Sequence, residues 1–111
     1  MAELSKEAEE KVSQLQLYEQ SLQNLLSQKQ QFQMRLAEIE SALKELEKTD
    51  SAYKIVGNIM VSSDKAELKK DLESKKEMSE LRVKALEKQE TQIKQKAEKL
   101  QEEVLNSIKG D

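Results

Sequence analysis

Ser51-Ala52-Tyr53-Lys54-Ile55-Val56-Gly57-Asn58-Ile59-Met60-Val61-Ser62-Ser63 is the stretch that decides the fold of this 111-residue chain. Two short runs rich in β-branched residues flank Gly57-Asn58. That pair suits a two-residue type II′ turn, in which glycine takes the positive φ at the first central position. The spacing predicts a β-hairpin over residues 51–63, with Val56 opposite Ile59 and Ile55 opposite Met60. One face then carries Tyr53, Ile55 and Met60; the other carries Val56, Ile59 and Val61. Both faces are apolar. A two-stranded hairpin alone is marginal in water, and its outer edges leave backbone donors and acceptors unpaired. Other copies, or a related chain, are expected to supply the neighbouring strands. Tyr53, Ile55, Val56, Gly57, Ile59, Met60 and Val61 thus form a candidate oligomerisation element.

On either side the pattern is helical. Proline is absent, and the only glycines are Gly57 and Gly110. With Ala8 as an a position, the first arm has a residues Ala8, Leu15, Leu22, Lys29, Leu36 and Leu43. Its d residues are Leu4, Lys11, Tyr18, Leu25, Phe32, Ile39 and Leu46. Eleven of these thirteen seam positions are apolar, and a seam sustained over so many heptads argues for a coiled coil. From Val83 the second arm runs Val83, Leu86, Glu90, Ile93, Ala97, Leu100 and Val104. Upstream, Leu68, Leu72, Met78 and Leu81 keep helical spacing but slip out of that register, as at a stutter. Asp64 followed by Glu67 marks the start of this helix as a capping box. The expected organisation is a single domain over 1–111: a first coiled-coil helix over 5–49, the hairpin over 51–63 and a second helix over 64–108. Two arms of about 44 residues reach roughly 65 Å each at 1.5 Å per residue. Equal arms about a tight reversal predict a mainly α chain, a long antiparallel two-helix coiled coil with a central β-hairpin.

Composition narrows the function. Charged residues make up 37% of the chain and aromatics 3%, so large compact cores and the pockets they enclose are out of reach. Residues 1–50 carry ten acids and six bases, and residues 51–111 twelve acids and thirteen bases. The halves are mildly complementary, and bases never cluster without interspersed acids, which argues against nucleic-acid binding. With no cysteine and no histidine there is no thiolate or imidazole for metal or nucleophilic chemistry. The carboxylates are spread along exposed helical positions, and no glycine-rich phosphate loop or calcium loop is present. We expect no catalytic, cofactor or metal site. The first residues lack the apolar run of a signal peptide, and no stretch approaches the roughly 20 apolar residues of a membrane span. A cytoplasmic protein without membrane attachment is expected.

The central Tyr53-Lys54-Ile55-Val56-Gly57-Asn58-Ile59-Met60-Val61 carries a family resemblance. With it go the glutamine-rich Gln28-Lys29-Gln30-Gln31 and the later Leu86-Glu87-Lys88-Gln89-Glu90. Over essentially its whole length the chain resembles a beta-class prefoldin subunit of archaeal type. The resemblance implies that the hairpin joins an oligomeric β-barrel platform in a hexamer of two alpha-class and four beta-class subunits. It further implies an ATP-independent holdase that binds non-native polypeptides at coiled-coil tips and delivers them to a group II chaperonin. A structural coiled-coil spacer or tethering protein is the alternative, but a spacer needs only a loop where this chain has a two-faced apolar hairpin.

If the chain reverses at Gly57-Asn58, Leu15 lies near Leu100 and Leu4 near the C-terminus. Apolar residues beyond the strict seam gather around these ends: Val12 and Leu17 on the first arm, Leu105 and Ile108 on the second. Val12 and Ile108, at e positions, also serve to widen the seam, whereas Leu17 and Leu105 have no use in a simple two-stranded coil. Leu4, Val12, Leu17, Val104, Leu105 and Ile108 are the candidate client-binding residues, since burying apolar surface requires no particular sequence.

Overall fold

The structure, a computed structural model, describes residues 5–109. The order is α1 (Lys6–Glu47), β1 (Ala52–Val56), β2 (Ile59–Ser63) and α2 (Lys65–Lys109). Two compact units are distinguished, one formed by the described residues up to Lys29 and from Ala85 onward, the other by Gln30–Lys84.

Helix α1 begins at Ser5, whose carbonyl accepts from the Glu9 amide at 2.9 Å while its Oγ accepts from the Ala8 amide at 3.1 Å. That hydroxyl satisfies one of the amides every helix start leaves free. The helix closes on a tightened turn, Lys48 N–H to Glu45 carbonyl at 3.1 Å. Thr49 Oγ1 then accepts from the Ser51 amide at 3.2 Å, a side-chain turn that turns the chain toward β1 without glycine. Asp64 opens α2 by accepting from Leu68 N–H at 2.9 Å. That is the ordinary first backbone bond of the helix; the reciprocal side-chain bonds expected between Asp64 and Glu67 are not among the hydrogen bonds of the described residues, so the expected capping box is not formed there.

Every a and d position of α1 from Ala8 to Leu46 is buried or half-buried, as the heptad reading requires. In the unit of Gln30–Lys84 the inward stripe of α1 is Phe32, Leu36, Ile39, Leu43 and Leu46. That of α2 differs from the expectation. Met78 and Leu81, read as part of a slipped stripe, are solvent-exposed. The inward residues are instead Leu68, Leu72, Lys76, Ser79 and Val83. Ser79 and Lys76 carry the Val83 register back to Leu72, and the four-residue steps Leu68–Leu72–Lys76 place the stutter there, upstream of where apolarity suggested. A buried serine is small enough for close packing, and Lys76 lays its stem inward while its ammonium reaches Glu40 at 3.8 Å.

The unit of α1's first half and α2's second half is antiparallel: Lys11 pairs with Glu103 at 3.5 Å and Lys29 with Glu90 at 2.8 Å. Its seam stays packed at Ala8 and at Val104. Each seam leucine buried this way is worth roughly 1.5–3 kcal/mol relative to exposure.

Candidate functional site

The hairpin pairs antiparallel in the register read from sequence: Val56 with Ile59, Ile55 with Met60, Lys54 with Val61, Tyr53 with Ser62 and Ala52 with Ser63. Gly57 has φ of 62°, and no other described residue has positive φ. A positive first and negative second central residue is the type II′ pattern, whose twist matches that of the strands it joins. Nothing lies within 4 Å of a Cβ built on Gly57, so glycine is needed there for backbone conformation and not for space.

Among the described residues the sheet has two strands, so each strand has an outer edge with free amides and carbonyls. Alternation divides the side chains as expected, with Tyr53, Ile55 and Met60 on one face and Val56, Ile59 and Val61 on the other. All six are exposed, between 40% and 69%. Only Ala52, at the strand's start, is buried. In a molecule whose helices bury their apolar seams, six adjacent exposed apolar side chains mark an interaction surface. Both edges and both faces are open to further strands.

The five candidate client-binding residues that the structure describes fall into three groups. Leu17, Leu105 and Ile108 are exposed, and all three belong to the same unit. Val12 is half-buried and widens the seam. Val104 is 8% exposed; it is a seam residue by its heptad spacing, which takes it off the surface open to a client. Leu4 lies outside the described residues. One further apolar residue of this unit, Leu26, is also exposed. Its signal was visible in sequence as a leucine at an e position beside the d residue Leu25.

Deeper in this unit sits an ion pair that sequence reading did not assign. Lys29 Nζ donates to Glu90 Oε1 at 2.8 Å, with both side chains largely withdrawn from solvent. Its hydrogen bond to Glu90 raises the Lys29 pKa; burial pulls the other way, and the charges of Glu90 and Glu87 add to the rise. Two seam positions are thereby filled by a mutually satisfied polar pair, the kind of feature that fixes pairing register. Among the described residues no group of three or more His, Cys, Asp or Glu is placed to hold a metal ion. No described helix is long and apolar enough to cross a membrane.

Comparison with known proteins places this geometry. The family model described as "Prefoldin subunit" matches residues 9–110. A "Prefoldin subunit beta" of Archaeoglobus fulgidus is 38% identical, covering 97% of this chain and 96% of its own. One of Thermococcus onnurineus is 37% identical over 88% of this chain and 87% of its own. Among solved structures, the prefoldin beta subunit from Thermococcus strain KS-1 superposes with a TM-score of 0.90 at 33% identity, covering 96% of each chain.

Proposed function

The chain belongs to the prefoldin family, as a member of its beta class, and we propose that it works as an ATP-independent holdase subunit. The family is one of chaperone subunits that form hetero-oligomers with one another, and not of enzymes. In our reading this chain joins an alpha-class subunit and further beta-class copies in a hexamer. There it holds non-native polypeptides and passes them to a group II chaperonin in the cytoplasm.

The observation that carries assembly is the hairpin. Its six exposed apolar residues and two free edges are matched to added strands, which would bury them and complete the backbone hydrogen bonding. A tethering protein has no use for such a surface. For client holding, the supporting feature is the exposure of Leu17, Leu105 and Ile108 near the helix ends. Apolar contact of this kind suits unfolded segments because it is non-directional.

Capture at the helix ends is tested with Leu17→Ser, Leu105→Ser and Ile108→Ser combined. Each position is exposed, so helix and hairpin should survive. Contact spread over several subunits would mask a single change through avidity. Particles confirmed by native mass spectrometry as full oligomers with an alpha-class subunit should lose most of their ability to suppress aggregation of a chemically denatured client. ATP should make no difference. Undiminished protection would move the client site away from the helix ends.

A further inference from the structure

The unit of Gln30–Lys84 holds an open groove of about 370 Å³ between its helical segments, lined by apolar Phe32, Ile39 and Met78 together with charged Arg35, Arg82, Lys75 and Glu38. Neither its chemistry nor its placement belongs to the hairpin or to the helix ends. Of the chain's nineteen basic residues only two are arginine, Arg35 and Arg82, and both converge on one ring. The Arg35 guanidinium lies 5.1 Å and that of Arg82 5.6 Å from the Phe32 centroid.

Arg35 precedes the a residue Leu36 and Arg82 precedes Val83, which puts both at g positions, the flank where antiparallel helices bring g against g. Opposite charges there favour pairing and like charges oppose it. The two arginines therefore repel one another across the coil, a cost that their contact with the Phe32 ring offsets in part. Neither is in an ion pair among the described residues, while Lys75 is held by Asp71 at 3.3 Å. Stacking on Phe32 restrains the two planar forks in place. Arginine is the residue that reads carboxylates bidentately, and a fork already restrained loses less entropy in doing so. Met78, 65% exposed beside them, adds an adaptable apolar contact. Like charges left without an opposite charge among the described residues are a breach of the local charge rule, of the kind found at functional positions.

We propose that this groove docks an acidic polypeptide segment of a partner protein, its carboxylates on Arg35 and Arg82 and an apolar side chain against Phe32 and Met78. The site is separate from client holding at the helix ends and does not rest on that reading.

The probe is a short fluorescein-labelled peptide with Asp and Glu on both sides of a Phe-Leu pair, titrated against the full chain by fluorescence anisotropy. Arg35→Gln with Arg82→Gln should weaken binding at least about tenfold and flatten its dependence on salt. Lys69→Gln with Lys70→Gln, which removes as much charge elsewhere on α2, should leave it unchanged. Circular dichroism confirms that both variants keep their helix. The proposal is overturned if the acidic peptide does not bind saturably, or if the arginine variant binds it as well as the native chain. Equal binding of a peptide with Lys in place of its acids would overturn it too. So would a change in oligomer mass on the arginine substitutions, which would make the groove a contact between copies of this chain.

Discussion

The hairpin and the helical arms treat the same kind of residue in opposite ways. Along α1, apolar side chains at a and d positions are withdrawn from solvent by the chain's own second helix. In β1 and β2, six apolar side chains of comparable size stay exposed. The hairpin set is richer in β-branched residues and the seam in leucine, but both are apolar, and the difference in burial lies in period. A heptad aims its apolar residues along one stripe that a single partner helix can cover. A two-residue period sends them alternately to both sides of a sheet, where one chain cannot cover both. Burial is completed within the chain in the arms and is left incomplete in the hairpin.

The contrast is broken most severely by a charge in the hairpin. Ile55→Asp or Ile59→Asp should abolish the oligomer outright, because an aspartate on a face buried by neighbouring strands has no partner there. The isolated chain exposes both positions, so circular dichroism should still report nearly native helix. Size-exclusion chromatography of either variant at the native oligomer volume would show that the hairpin is not the assembly surface.

Adjacent leucines sharpen the arm side of the comparison. Leu25 is 8% exposed and Leu26 43%. Leu25→Ala should cost about 2–5 kcal/mol through lost burial and a residual cavity. Leu26→Ser, one residue along the same helix, should stay within about 0.5–1 kcal/mol. Urea unfolding measures both. Similar midpoints for the two variants would mean that the seam is not what holds the arms.

Gly57 sharpens the hairpin side through the backbone alone. A Cβ there would meet no atom within 4 Å, yet a valine would have to adopt a φ near 62°. The strain is about 1–3 kcal/mol. Gly57→Val should therefore weaken assembly, while Asn58→Ala, at negative φ, should shift it by a few tenths of that. Native mass spectrometry over a dilution series gives the comparison. Equal tolerance of the two changes would count against the type II′ turn.

Much of this was legible in the residues. The first arm could be read position by position because its seam is apolar, and the hairpin register followed from Gly57-Asn58 because glycine fixes the turn and the turn fixes the pairing. The middle of α2 was not legible in that way. There Lys76 and Ser79 occupy the seam while Met78 and Leu81 face water, so apolarity pointed to the wrong stripe. Helical spacing alone does not decide between two stripes one position apart when the buried one is polar. The groove beside Phe32 was hidden for a related reason. Two arginines 47 positions apart in sequence are unremarkable until the helices set them over one ring.

Lys29 and Glu90 escaped for a geometric reason, and they carry the smallest of the expected effects. A reversal at Gly57-Asn58 sets Lys29 level with Leu86 and Glu90 level with Leu25, one step of about 6 Å apart along the seam. Two long side chains close that step. The pair's pH dependence follows from the raised pKa of Lys29, held up chiefly by the hydrogen bond to Glu90. A folded-state value above the unfolded 10.5 means that the folded chain keeps this proton longer than the unfolded chain does. Its contribution to stability is complete below that pH and is lost as pH rises through the higher folded value. Urea midpoints of the native chain should therefore fall more steeply above about pH 10 than those of Lys29→Met, which lacks the titrating group. At neutral pH Lys29→Met should melt below the native chain, because it leaves the Glu90 carboxylate largely buried and unpaired. Lys29→Leu with Glu90→Leu should recover or exceed native stability, since an apolar seam replaces both charges at once. Comparing native and Lys29→Met isolates this one lysine from the many exposed ones. Parallel midpoint curves through the alkaline range would mean that the ion pair contributes nothing to folding.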